Sequence, residues 1–174
     1  MSNRTSFEIR FVRPSEAQRL SELIKGLQDH QQMNGVTKIP SKEDIVRDLF
    51  HKNDKGDLIP NNLGSFTAVV VDTSKSQVDD HSDMVGYLIY TVKFNLMRGR
   101  QLYLNSFFIE EPYRRHGLGR KMVRFMQAHG KLLGIDIFDV PFMKNNISGQ
   151  KFYATFGAYL VDEEYNLMMA PPDI

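Results

Sequence analysis

The chain has 174 residues, 41% of them hydrophobic and 25% charged, with a formal net charge of +1 and no cysteine. That length suits one domain with a proper core and is short for two independent cores, so residues 1–174 are expected to form a single domain. No apolar run approaches the roughly 18 residues that span a bilayer. The segment MSNRTSFEIRF carries neither the apolar stretch nor the cleavage site of a secretory signal. Without cysteine there is no disulfide framework, thiol nucleophile or thiolate metal site, and no metal is expected. A cytoplasmic setting follows, with no membrane or nucleic-acid partner; the near-neutral charge argues against a protein that grips nucleic acid over a whole basic face.

Charge is nonetheless local. Residues 110–131 carry Arg114, Arg115, Arg120, Lys121, Arg124 and Lys131 against Glu110 and Glu111, while acid collects at Asp79, Asp80, Asp83 and residues 162–164.

In chain order, FEIRFVR alternates as a half-buried strand does, and Pro14 closes it. Ser15 and Gln18 suggest a capping box for a helix whose Leu20, Leu23, Ile24 and Leu27 repeat at helical spacing. SKED at Ser41 offers a second box, ahead of a shorter stripe of Ile45, Leu49 and Phe50. HKNDKGDLIPNNLG reads as a turn-rich connection. SFTAVVVD, MVGYLIYTVKF and RQLYLNSFFIE then read as three successive strands of an antiparallel meander, the first two joined by a polar hairpin loop near residues 74–82. From Leu118 the period changes to that of a helix, with Met122, Phe125, Met126, His129, Leu132 and Leu133 on one stripe. GIDIFDVPF returns to strand. NNISGQKFYATFG is a short helix with Gly157 as its stop, and AYLVDEEYNLMMA closes the chain as a strand or hairpin. The order predicts an α/β (α+β) fold: a mixed, mostly antiparallel sheet flanked by helices.

The stretch EPYRRHGLGRKM lies where a strand gives way to a helix, whose N-terminus presents unpaired N–H groups and partial positive charge. Gly117 and Gly119 would let a pyrophosphate approach the backbone, and the surrounding cations would neutralise it. The letters fail the P-loop pattern, because Lys121 follows Arg120 and precedes Met122, and they fail the dinucleotide pattern at Met122. Taken alone, the stretch reads first as the solvated start of an amphipathic helix.

Arg114-x-x-Gly117-x-Gly119, after a strand ending LYLNSFFI, resembles the acetyl-CoA loop of the GNAT superfamily of N-acetyltransferases. NNISGQKFYATFGA is similar to that family's second signature, and the resemblance covers nearly the whole chain. LYLNSFFIEEPYRRHGLG looks most like the diamine (spermidine/spermine) and thialysine acetyltransferase branch. The resemblance implies acetyl-CoA as co-substrate, a small primary amine as acceptor, and a homodimer. It also implies a cofactor surface of Phe107, Phe108, Ile109, Arg114, Arg115, His116, Gly117, Leu118, Gly119, Arg120 and Asn146. Tyr153 falls at the family's proton donor to the leaving thiolate; without the motif it would read as core beside Phe152 and Phe156. Asn146 also reads as a helix N-cap.

Where the branch has a glutamate, this chain has Asn105, which cannot act as a base. The second acidic acceptor contact aligns with Gln31 beside His30. Asp139, Glu110 or Glu111 could substitute, an ordered water could carry the proton, or the acceptor could be a less cationic amine. A non-catalytic CoA-binding module and a protein or peptide N-acetyltransferase remain alternatives.

Overall fold

The computed structural model describes residues 6–32, 38–61, 64–75, 83–141 and 146–159. The chain falls into two compact units, Met1–Pro141 and Phe142–Ile174. The first unit holds β1 (Phe7–Phe11), α1 (Ala17–His30), α2 (Lys42–Leu49), β2 (Phe50–Lys52), β3 (Leu58–Pro60), β4 (Ser65–Asp72), β5 (Met84–Asn95), β6 (Gly99–Ile109), α3 (Leu118–Leu132) and β7 (Ile137–Asp139). Five strands form one sheet in the order β1-β4-β5-β6-β7. All neighbours are antiparallel except β6 and β7, so the expected meander of β4, β5 and β6 is present inside a mixed sheet.

The start of α1 differs from the capping box expected at Ser15 and Gln18. Pro14–Glu16 forms a 3-10 turn, and the Glu16 carboxylate accepts from the Arg13 N–H at 2.7 Å. Arg10, reaching across from β1, donates to the same carboxylate at 2.9 Å. A charged acceptor served by two donors outcompetes the neutral Ser–Gln pair. At α2 the expectation holds: the Ser41 hydroxyl accepts from the Asp44 N–H and the Asp44 carboxylate accepts from the Ser41 N–H, both at 3.1 Å. Ser41→Ala is expected to cost about 1 kcal/mol, read as a lowered denaturation midpoint with an unchanged denaturant slope.

Phe50 leaves the helical stripe expected of it and opens β2, where it is buried. The connection read as turns is in part a small hairpin, β2 against β3. Its Asn53 side chain accepts from the Lys55 and Asp57 N–H groups at 2.9 Å each. Strands of three residues are too short to show alternation.

On one face of the sheet, Ala17, Leu20 and Leu23 of α1 pack with Val69, Val71, Met84, Tyr87 and Phe108. Each fully buried side chain of leucine size contributes roughly 1.5–3 kcal/mol. Alternation along β4 turns Phe66 to the other face, where its ring meets His129 of α3 at 4.6 Å between centroids. There α3 buries Leu118, Met122 and Met126 of the expected stripe together with Val123, which lies outside it, while Leu132, expected on it, is exposed. His129 lies on that stripe with Nδ1 at 2.8 Å from the Tyr90 hydroxyl, and burial lowers its pKa toward the neutral imidazole.

The strand expected from Gly134 is shorter than its pattern. Gly134 adopts φ 68°, and the Ile135 N–H reaches back to the Gly130 carbonyl at 2.9 Å. The first residues of the apolar run thus cap α3, and β7 keeps only Ile137–Asp139.

The second unit contains α4 (Ile147–Ala154), and Gly157 follows it at φ 79°. The expected closing strand lies, from residue 160 on, outside the described residues, as do residues 76–82 of the expected hairpin loop. Among the described residues no helix is long and apolar enough to cross a membrane.

Candidate active site

The pairing of β5 with β6 breaks register once: Ile89 faces Ser106 and Tyr90 faces Leu104, leaving Asn105 as the extra residue of a β-bulge. Bulges re-aim a strand and collect beside active sites. Asn105 is exposed on this bulge. Next to it, the Ser106 hydroxyl lies 2.8 Å from that of Tyr87. Burial pushes the Tyr87 phenol up to about 12, against the opposing pull of the Ser106 hydrogen bond. On its far edge β6 pairs with β7 only over Gln101–Tyr103. From Leu104 to Ile109, no strand among the described residues covers that edge.

Phe108 is the hub of this end of β6. Its ring lies 6.4 Å from that of His30 and 6.4 Å from that of Tyr87. The Arg114 guanidinium sits over it at 5.5 Å. Gly26 of α1 presses so close that an added Cβ would stand 3.1 Å from the Phe108 Cε1. His30 is therefore brought to the strand that carries Asn105, and Gln31 follows it as the C-cap of α1, its N–H on the Leu27 carbonyl at 2.9 Å. Phe107 and Ile109 flank Phe108 on the same strand.

After β6 the chain makes a 3-10 turn, Glu111–Tyr113, and then a strained loop. Arg114 turns back, its Nε donating to the Ile109 carbonyl at 2.8 Å, and so braces the loop. Arg115 adopts φ 68° and Gly117 φ 75°. The left-handed region costs a non-glycine residue on the order of 1–2 kcal/mol, and alternating backbone hands of this kind make an anion-binding concavity. Gly117 is the N-cap of α3 and brings no capping side chain. The helix ladder begins with the Lys121 N–H on the Gly117 carbonyl at 3.1 Å, so Leu118 and Gly119 head the helix without an intrahelical acceptor. Arg115, His116 and Arg120 are exposed around this end, and Leu118 is buried beneath it.

The acids weighed as partners for an amine are differently placed. Asp139 forms an ion pair with Lys93, which also lies over the Tyr103 ring at 4.7 Å. Glu110 pairs with Arg19 at 2.8 Å. Glu111 is exposed. Among the described residues no group of three or more histidines and carboxylates could hold a metal ion.

In the second unit Asn146 is the N-cap that its sequence suggests. Its side-chain oxygen accepts from the Gly149 N–H at 2.9 Å and the Ser148 hydroxyl at 3.1 Å. A Cβ on Gly149 would stand 2.6 Å from the Asn146 Nδ2, so a larger residue there would push the capping amide aside. Tyr153 lies half-buried on α4 with its ring 5.0 Å from Phe152, and burial raises its pKa. Its phenol is protonated at neutral pH.

Sequence reasoning missed Tyr87, Ser106 and Gly26. Only Gly26 left a trace, as a glycine in mid-helix where propensity disfavours it.

Residues 42–158 match the model of the acetyltransferase (GNAT) family. Thialysine N-ε-acetyltransferase from Sus scrofa is 23% identical over 151 residues, 86% of this chain and 82% of that protein. An aminoglycoside acetyltransferase from an uncultured soil metagenomic sample, solved with sisomicin, superposes with a TM-score of 0.69 at 14% identity, covering 95% of this chain and 96% of that one. AAC(6')-Iy, solved with a CoA bisubstrate analogue, superposes at 0.65 and 12% identity over 96% of this chain and 100% of that one. With two thirds of its length matched by the family model, the chain belongs to the acetyltransferase (GNAT) family and is an acetyltransferase.

Proposed function

We propose that this acetyltransferase moves the acetyl group of acetyl-CoA to a small primary amine by direct attack, with no covalent enzyme intermediate. The observation that carries this reading is the loop after β6. Left-handed Arg115 and Gly117 and an uncapped helix start stand amid exposed cations, a fit for the pyrophosphate of acetyl-CoA. The space where a Gly117 Cβ would stand has no atom within 4 Å, so the backbone can be approached closely.

In this reading Arg115, His116, Gly117, Leu118, Gly119 and Arg120 receive the pyrophosphate, while Arg114 holds the loop in shape. Backbone groups of Phe107, Phe108 and Ile109 hold the pantetheine arm, one N–H polarising the thioester carbonyl. Asn146 adds a contact from the second signature. Acetyl-CoA, when bound, supplies the acetyl group as an activated thioester. The amine nitrogen forms the new C–N bond as the C–S bond breaks, and Tyr153 gives its proton to the sulfur. The surplus proton of the amine passes to water, because Asn105 can orient a water but cannot accept a proton. A free alkylamine of pKa near 10.4 is neutral in only about one molecule in a few thousand at pH 7, so this step demands assistance. His30 and Gln31 are assigned to the acceptor side. Asp139, neutralised by Lys93, supports an acceptor with a single cationic head over a long polyamine.

The test is release of free CoA with diamines, thialysine, aralkylamines, an aminoglycoside and N-terminal peptides. Turnover is expected on a small amine, together with a melting temperature raised by acetyl-CoA. No turnover and no rise would end the reading. A rise without transfer would make the chain a CoA-binding module, and transfer to peptides alone would make it a protein acetyltransferase. Tyr153→Phe is expected to lower kcat by roughly 10²-fold or more with acetyl-CoA affinity nearly unchanged; equal activity would remove Tyr153 from the mechanism.

A further inference from the structure

The register of β5, β6 and β7 gathers charge and an aromatic ring on one face of the sheet. Lys93 of β5 stands opposite Gln101 of β6, and Tyr103, two residues on, stands opposite Asp139 of β7. Leu102 between them meets Gly130 of α3, so Gln101 and Tyr103 point to the other face. The Lys93 ammonium donates to the Asp139 carboxylate and lies over the Tyr103 ring at 4.7 Å from its centroid. The two charged side chains are 36% and 30% exposed, so the group opens to solvent.

A carboxylate beside an aromatic face recognises an alkylammonium ion. Here the ion is the protein's own. An ion pair this open contributes little to stability, and its place on β6 gives it another use. Tyr103 precedes the bulge residue Asn105 by two positions, about 7 Å along the strand. The two nitrogens of an extended 1,4-diaminobutane stand about 6 Å apart, from the lengths of its bonds. A diamine with one nitrogen at the thioester beside Asn105 would thus carry its other nitrogen to Asp139 and Tyr103, where the Lys93 ammonium already stands.

We propose that Lys93 is the specificity-determining residue of the acceptor side: it fills an ammonium site formed by Asp139 and Tyr103 and so selects monoamines over diamines. The inference rests on the proposed acetyl transfer and names the residue that sets its substrate class. A second ammonium arriving at the site meets a like charge that already holds the carboxylate and the ring. A monoamine such as butylamine brings no second charge and meets no such opposition. Without the Lys93 charge, the same carboxylate and ring are free to take the distal nitrogen of a diamine.

The test compares 1,4-diaminobutane with butylamine in the wild type, Lys93→Met and Lys93→Arg. Methionine keeps the apolar stem and removes the charge; Lys93→Gln replaces it if it does not melt cooperatively. The ratio of kcat/KM for the diamine to that for the monoamine is expected to rise about tenfold or more in Lys93→Met, mainly through KM for the diamine. In Lys93→Arg it should stay near the wild-type value. Adding Asp139→Asn to Lys93→Met should return the ratio toward that of the wild type. Lys131→Met, the same change of charge at the exposed end of α3, controls for long-range attraction and should leave the ratio unmoved. A ratio unchanged by Lys93→Met, one raised as much by Lys131→Met, or a gain that survives Asp139→Asn would overturn the proposal. Isothermal titration of 1,4-diaminobutane into the same proteins reads the site without turnover, and Lys93→Met should bind it about tenfold more tightly than the wild type. Equal affinities would overturn the proposal even if no amine is acetylated. Tighter binding with no CoA release on any amine would instead overturn the acetyl-transfer reading and support the ammonium site.

Discussion

Gly86→Ala is expected to lower thermal stability and acetyl-CoA affinity together. The added Cβ would stand 2.7 Å from the Phe108 carbonyl oxygen and 3.0 Å from the Cγ1 atoms of Ile109 and Val70. A backbone carbonyl cannot rotate aside as a side chain does, so β6 itself must shift. Overpacking of this kind costs typically 1–3 kcal/mol, and each kcal/mol lowers the melting temperature of a chain this size by roughly 2–4 °C. The displaced backbone, Phe108–Ile109, is the stretch proposed to hold the pantetheine arm, so KM for acetyl-CoA should rise as well. Gly56→Ala is the control. Gly56, unlike Gly86, is left-handed, at φ 85°, and has no atom within 4 Å of its Cβ position. It should lose a little stability with KM unchanged, and a Gly86→Ala enzyme with unchanged KM would dissociate β6 from cofactor binding.

The second large effect is expected at Glu16. Its side chain is 2% exposed and that of Arg10 17%. Glu16→Ala leaves a partly buried guanidinium with only the exposed Glu8 carboxylate, 3.9 Å away, as its ion-pair partner, so the loss should approach but not reach the roughly 3–5 kcal/mol of breaking a fully buried pair. The Arg13 N–H loses its acceptor in the same change. The pair also sets a pH dependence. Burial pushes the Glu16 carboxyl up, but hydrogen bonds from Arg10 and the Arg13 backbone outweigh it and leave the group below its ordinary 4.5. A depressed carboxylate contributes stability above its unfolded value, and that contribution is lost as pH falls through the folded one. Urea titrations from pH 6 down to pH 3 should therefore show the wild type losing stability below about pH 4.5. Glu16→Gln should show a shallower slope there, and equal slopes would mean the pair is unimportant to acid stability.

Much of this architecture is legible from the letters because its elements are long and regular. The β-branched run Thr67–Val71 marks β4, Ser41 and Asp44 write their own cap, and the stripe Leu118–Met126 announces α3. The glycine-basic loop is legible for another reason: its backbone needs left-handed residues, and Gly117 declares one. Arg115 declares nothing, since its strain comes from neighbours that hold it. The chain hides β2 and β3, whose three residues each leave no period to detect. It hides the partnership of Arg10 with Glu16 and of Lys93 with Asp139, since ion pairs across strands depend on register. Ser15 and Gln18 carry the local letters of a capping box, and nothing near them in sequence shows that Arg10 stands beside Glu16.

The bulge at Asn105 acts as a parity switch for its strand. Leu102 faces Gly130 of α3, whereas Phe108 faces Gly26 of α1, although both numbers are even and an unbroken strand would show them on one side. One inserted residue lets the first half of β6 serve one core and its second half the other. Replacing Asn105 changes a side chain, but deleting it would turn Ser106, Phe108 and the proposed cofactor strand over by half a pleat. The sequence length of β6 is thus a coded quantity, as constrained as any residue in it.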